Sequence, residues 1–68
     1  MKEQIEELIA DHKIRLQEVK SFLNELTATN TTKLTFEEKE LVRKAVIELS
    51  VESELRLSVI SELEDLLS

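Results

Sequence analysis

The sequence predicts an all-α fold, an antiparallel two-helix hairpin that assembles into a four-helix bundle. Glycine and proline are both absent from the 68 residues, although their average usage is about 7% and 5%. Only two residues are aromatic, whereas Glu, Leu, Lys and Ser dominate, a composition typical of helices. Apolar residues also recur at steps of three and four, the spacing of one helix face. Together these features exclude a sheet and any glycine-rich phosphate-binding loop.

Helix 1 is predicted over about residues 2–28. Its apolar stripe keeps heptad spacing, and His12 fills the one polar slot. The stripe consists of Ile5, Ile9, Leu16, Val19, Leu23 and Leu26, widened on one side by Leu8 and Phe22. The helix ends in the segment TATNTT, where Asn30 is expected to adopt a left-handed cap. Residues 29–34 are predicted to be the loop of a single hairpin domain, 1–68.

Helix 2 is predicted over about residues 35–67 and begins at the segment TFEE. Thr35 is the expected N-cap, and Glu38, three residues later, completes a capping box. The segment LSVESELRLS, residues 49–58, alternates like a strand, but Leu49 and Ile60 are three helical turns apart and share one face. We therefore expect helix here. The alternative is a break near Ser50–Ser53, which would give three helices.

Helix 2 carries more apolar surface than one neighbouring helix covers. At about 100° per residue, its apolar arc spans roughly 200°, whereas that of helix 1 spans roughly 140°. The surplus edge is the predicted interface and consists of Leu41, Leu55, Val59 and Leu66. Because two helices alone bury too little surface to offset their ordering entropy, we expect a homo-oligomer, most simply a dimer. The alternative partner for this edge is a second protein.

His12 and two charged residues of helix 2 are predicted to form a buried polar layer. With the helix bounds above, the residue level with His12 is Glu52; Arg56 lies one turn further on the same face, and Arg15 borders it. One interpretation is a layer that fixes the register of the hairpin. The second is a pH switch, in which His12 protonated beside glutamate favours pairing at lower pH. The third, a catalytic or metal site, lacks the three or four ligands that zinc requires.

Acidic residues concentrate at the two chain ends, which a hairpin brings together. We call these residues the acidic end: Glu3, Glu6, Glu7, Glu62, Glu64 and Asp65. The bases near the predicted loop are Lys33, Lys39, Arg43 and Lys44, and we call this group the basic turn. An antiparallel dimer would place each acidic end beside the basic turn of the other subunit.

The residue content disfavours several classes of function. There is no cysteine and no Ser/His/Asp set, so we expect a non-enzymatic protein without cofactor or metal. The bases form no continuous stripe, which disfavours direct nucleic-acid binding, and the acidic helices disfavour membrane binding. The first residues do not show the pattern of a signal peptide, a basic segment followed by an apolar run. No apolar stretch reaches the length of about 20 residues that a membrane-spanning helix needs. We therefore expect a soluble, cytoplasmic protein.

Two functions remain. The first is a protein–protein interaction module, a small dimeric adaptor, scaffold, assembly or regulatory factor that uses the surplus edge of helix 2. The alternative is an acidic inhibitor, in effect a DNA mimic, that binds a basic nucleic-acid-binding partner through the acidic end. The modest net charge of −6 favours the first. The composition is typical in style of small accessory proteins of bacteria and phages.

Overall fold

The computed structural model describes residues 1–68 as two long α-helices folded back on each other. α1 covers Lys2–Ala28 and α2 covers Phe36–Leu67. The connection contains one 3-10 turn, Thr31–Lys33, and the hairpin measures 50 × 14 × 13 Å. The prediction of an all-α antiparallel hairpin is confirmed. Neither helix contains a segment of the length and hydropathy needed to cross a membrane.

α2 begins with the predicted capping box. The hydroxyl of Thr35 accepts a hydrogen bond from the backbone N–H of Glu38 at 3.1 Å, and the backbone N–H of Thr35 donates to Oε1 of Glu38 at 3.1 Å. These bonds satisfy two backbone donors that the first helical turn leaves without partners. The hydrogen bond from the Thr35 backbone, followed by that with its side chain, lowers the pKa of Glu38.

The segment that alternates like a strand is helical. α2 continues without interruption through residues 49–58, so a break near Ser50–Ser53 is wrong. The apolar positions on either side of the segment keep one helical phase, and no glycine or proline interrupts it. Packing along the whole helix therefore outweighs the local alternation.

Asn30 does not adopt the expected left-handed conformation. Its φ is −75°, and no residue of the chain has a positive φ. Its Oδ1 accepts hydrogen bonds from the backbone N–H of Thr32 at 3.0 Å and from the Thr32 hydroxyl at 2.7 Å. An asparagine side chain readily bonds the backbone two residues on. Here that bond caps the 3-10 turn in the connection.

The core is small and lies away from the turn. The buried residues are Ile9, Leu16, Val19 and Ile60. Ile5, Leu63 and Leu67 pack against this core at the open end, where the start of α1 meets the end of α2. Only four of 68 residues are buried, so each helix leaves most of its surface to solvent.

Candidate protein-binding face and its charge cluster

A charge cluster of His12, Arg15, Glu52 and Arg56 joins the two helices near their midpoints. Oε2 of Glu52 accepts hydrogen bonds from Nε of Arg15 at 2.8 Å and from Nε of Arg56 at 2.9 Å. Nη2 of Arg15 also donates to Oε1 of Glu52 at 3.4 Å. One carboxylate of α2 therefore links an arginine of α1 to an arginine of its own helix. Two bonds from one planar guanidinium also fix its orientation.

Arg56 connects this carboxylate to the only histidine. Its Nη1 lies 2.9 Å from Nδ1 of His12. A guanidinium donates hydrogen bonds and accepts none, so Nδ1 of His12 is the acceptor. The imidazole is therefore neutral in this contact and carries its proton on Nε2.

The structure brings the predicted polar residues together in a different pairing. The expected neighbour of His12 was Glu52, but His12 contacts Arg56, one turn further along α2. Glu52 instead contacts Arg15, which lies almost one turn beyond His12 on α1. Both contacts are displaced in the same direction by three to four residues from the predicted pairing. The register of the two helices therefore differs by about one helical turn from the register that the predicted helix bounds give.

The charge cluster is only half-buried, which corrects the prediction of a buried layer. The side chains of Glu52 and Arg56 retain 30% and 28% of their exposure, and that of Arg15 retains 37%. A two-helix hairpin has no further element to cover the seam between its helices. The charged groups therefore lie across the seam with one side toward solvent.

The contacts within the cluster shift the acidity of its members. Hydrogen bonds from Arg15 and then from Arg56 lower the pKa of Glu52, because they stabilise the ionised carboxylate. The hydrogen bond to Glu52, followed by that to Glu18, raises the pKa of Arg15. Glu18 Oε2 lies 3.3 Å from Nη1 of Arg15. The cluster itself contains two arginines and one carboxylate, and the neighbouring carboxylate of Glu18 balances the second arginine.

The contacts of His12 differ from those that the pH switch and the metal site would require. The proposed switch requires histidine beside glutamate, but the hydrogen bond of His12 is to Arg56. No group of three or more His, Cys, Asp or Glu side chains is placed to hold a metal ion.

The predicted interface residues form an exposed row on α2. Leu41, Leu55 and Leu66 are 66%, 62% and 70% exposed, and Val59 lies beside them at 36%. Leu55 follows Glu52 by three residues and Val59 follows Leu55 by four, so Glu52 belongs to the same row. The row therefore runs along the side of α2 from which Glu52 contacts Arg15.

α1 contributes two residues to the same side of the hairpin. Leu8, Arg15 and Phe22 are spaced by seven residues and share one side of α1. Since Arg15 bonds Glu52, this side of α1 borders the exposed row of α2. Leu8 and Phe22 are about half exposed, at 48% and 47%. We define the apolar face by Leu8, Phe22, Leu41, Leu55, Val59 and Leu66.

A groove joins the apolar face to the charge cluster. Its volume is about 420 Å³, and it is open to solvent. It is lined by His12, Glu48, Val51, Glu52, Leu55, Arg56 and Val59. Sequence reasoning did not assign Glu48 and Val51 to this region, although they precede Glu52 and Leu55 by one turn each. The groove thus combines an apolar floor with charged groups that are already oriented.

The two ends of the hairpin differ in charge. All six residues of the acidic end are exposed, and none forms an ion pair. In the basic turn, Arg43 bonds Glu40 at 3.0 Å, which raises the pKa of Arg43. Lys33, Lys39 and Lys44 form no ion pair. Unpaired acids therefore lie at one end of a 50 Å rod, whereas at the other end the unpaired lysines alternate with Glu37, Glu38 and Glu40.

Comparisons with protein-family models, curated proteins and solved structures find no match to this chain.

Proposed function

We propose that this chain is a non-enzymatic protein–protein interaction module of the cytoplasm, a small helical adaptor or assembly factor. Its apolar face binds a helical surface of a partner. The observation that carries the proposal is the row of Leu41, Leu55 and Leu66, each more than 60% exposed. Single exposed apolar residues are ordinary, but several large exposed apolar side chains aligned on one side of a helix, here with Glu48, Glu52 and Glu62 between them, are typical of an interaction surface.

The charge cluster would determine the orientation in which a partner binds to the apolar face. Interfaces combine an apolar centre with oriented polar groups that suppress wrong partners. Glu52 and Arg56 are held by hydrogen bonds before any partner binds, and both line the groove beside Leu55. A partner would therefore bury Leu55 and Val59 against groups that need little further ordering.

Site-specific photocrosslinking tests this proposal. A photoreactive amino acid replaces Leu55 on the apolar face, and the matched control carries it at Leu57. Leu57 is 51% exposed but lies two residues from Leu55, about 200° around the helix, and so on the opposite side of α2. We expect discrete adducts from position 55 and none from position 57, in purified protein or in extract. Equal labelling from both positions, or no adduct from position 55, would contradict the proposal.

The acidic end supports a second candidate, an inhibitor that binds a basic protein. The six exposed carboxylates carry no ion pair and lie at one end of the hairpin. Association through these carboxylates should weaken steeply as salt is raised, because exposed charges are screened within about 10 Å at 0.1 M salt. Association through the apolar face should not. Measuring affinity at low and high salt separates the two candidates.

A further inference from the structure

Along the exposed side of α2, the steps between successive side chains are the same whether they are counted from the N-terminal or from the C-terminal end of the row. Steps of four and three alternate between Leu41 at one end and Leu66 at the other. The positions are Leu41, Ala45, Glu48, Glu52, Leu55, Val59, Glu62 and Leu66. An antiparallel second copy of α2 would therefore match this spacing throughout. Leu41 would face Leu66 of the second copy, with the midpoint between Ser53 and Glu54.

The exposed side chains of α1 are also spaced symmetrically, about Arg15. Leu8 and Phe22 are each seven residues from Arg15. An antiparallel second copy of α1 would place Leu8 opposite Phe22 of that copy, with Arg15 at the centre. Both contacts would bury side chains that are about half exposed in the hairpin.

The hydrogen bond between Arg15 and Glu52 places these two midpoints at one level of the hairpin. Arg15 is the midpoint of the α1 row, and Glu52 lies within two residues, about 3 Å, of the α2 midpoint. A symmetric dimer needs one twofold axis that serves both helices. The register of this hairpin meets that condition, which a shift of the helices by two turns would destroy.

The charges fit the same symmetry. Lys44 and Glu62 are each nine residues from Ser53, and eighteen residues are five helical turns, so both lie on one side of α2. Antiparallel pairing would place Lys44 beside Glu62 of the second copy, and symmetry would repeat the contact. Each acidic end would then lie over the basic turn of the other copy. At the axis, the charge cluster and Glu18 together contain two arginines and two glutamates, so their charges balance and do not oppose the approach of the second copy.

The exposed area also matches what a dimer requires. A compact monomer of 7.9 kDa exposes about 4,400 Å² by the scaling of surface with mass. This hairpin exposes 5412 Å², an excess of about 1,000 Å². A standard interface buries roughly 800 Å² on each partner. The surplus per chain is thus of the size that one such interface covers.

We propose that the apolar face is covered by a second copy of this chain, packed antiparallel across a twofold axis through the Arg15–Glu52 pair. The inference rests on the proposed function and names its partner. The groove lies at the axis and receives Leu55 of the second copy. The result is a four-helix bundle in which α1 packs on α1 and α2 on α2.

Charge exchange tests the pairing of Lys44 with Glu62. Sedimentation equilibrium of the full chain over a hundredfold concentration range measures the dimer dissociation constant. Lys44→Glu or Glu62→Lys alone should weaken the dimer about tenfold, since each replaces two exposed ion pairs by two like-charge pairs. The double variant K44E/E62K should restore the original constant to within about threefold. Single variants without effect, or a double variant weaker than both, would overturn the pairing.

Matched controls lie on the opposite side of the hairpin. Lys20→Glu and Glu54→Lys make the same charge changes at exposed positions outside both the apolar face and the acidic end. They should change the dissociation constant less than threefold, alone or together. Equal effects from the control pair and the Lys44/Glu62 pair would overturn the proposal in favour of a net-charge effect. Circular dichroism verifies that each variant remains helical.

One distance determines the orientation. The chain has no cysteine, so Lys33→Cys gives a single spin-label site in the turn. In the antiparallel dimer the two labels lie at opposite ends, separated by nearly the 50 Å length of the hairpin. In a parallel arrangement both turns lie at the same end. A long separation supports the proposal, and a short one overturns it.

The failure of this proposal and of the proposed function are distinguishable. A chain that stays monomeric but forms adducts with another protein from position 55 overturns the second copy and retains the interaction module. A monomeric chain with no adduct overturns both.

Discussion

The guanidinium of Arg56 donates a hydrogen bond to Nδ1 of His12 across the hairpin, at 2.9 Å. The same guanidinium donates to Glu52 through Nε at 2.9 Å. Arg56 therefore separates the histidine from the carboxylate that the sequence predicts as its neighbour. Arginine in this position determines which tautomer of histidine the fold accepts.

We expect His12 to be the Nε2-protonated tautomer in the folded protein at neutral pH. Arg56 occupies Nδ1 as a donor, so the ring proton must be on the other nitrogen. Long-range proton–nitrogen NMR correlations of the imidazole report the tautomer directly. Arg56→Gln should let both tautomers appear. An Nδ1-protonated ring in the unmodified protein would contradict the contact.

Glu52 should contribute stability that acid removes. Because hydrogen bonds from Arg15 and Arg56 lower its folded-state pKa, this contribution is complete above the ordinary glutamate pKa of about 4.3. It is lost as the pH falls through the lower folded-state value. Urea unfolding at fixed protein concentration and falling pH measures the effect. Glu52→Gln should flatten this part of the profile, whereas Glu54→Gln, at an exposed position without an ion pair, should leave it unchanged.

Val19→Ala should lower the free energy of unfolding by about 2 kcal/mol, from lost burial and the cavity left behind. Val19 is the one residue with no exposed surface, 0%, while Ile14 on the same helix is 61% exposed. Ile14→Ala is therefore the matched control and should cost well under half as much. Denaturant unfolding measures both. Equal losses would place Val19 outside the core.

Thr35→Ala should destabilise the protein by about 1 kcal/mol, because it removes the N-cap of α2. The hydroxyl of Thr35 accepts from the backbone of Glu38 at 3.1 Å. Thr31→Ala serves as control, since the Thr31 side chain forms no hydrogen bond in the connection. Thermal unfolding by circular dichroism compares the two. A larger loss for Thr31→Ala would show that the 3-10 turn, and not the capping box, holds the connection.

The helices were predictable because their signals are local. Heptad spacing determines the buried side of each helix, and Thr35 and Glu38 mark the start of α2 within four residues. The pairing within the charge cluster was not predictable at that level. It depends on the register of the two helices, which lies about one turn from the predicted register and which the spacing within each helix does not encode. Arg15 was placed at the border of the layer, yet it forms the shortest contact of the cluster.

The conformation of the loop also could not be predicted from the sequence. Asn30 favours either a left-handed cap or a side-chain bond to the backbone two residues on, and both are common. Which one forms depends on the path that α2 requires once the helices have packed. The exposed edge of α2 followed from its excess apolar arc. The share of α1 in the apolar face needed the Arg15–Glu52 contact to place both rows on one side.

The position of the core determines how this chain must fold. No fully buried residue lies between residues 20 and 59, and Leu23, Leu26, Val42 and Val46 near the turn are only partly buried, so closing the turn first gains only a part of the final burial. The contacts of Ile9 and Leu16 with Ile60 close loops of more than forty residues, whose entropy is lost before the packing is gained. Stepwise zippering from the connection therefore finds no stable intermediate. The hairpin should form and open in a single cooperative event, and its rate should depend on the stiffness of the loop.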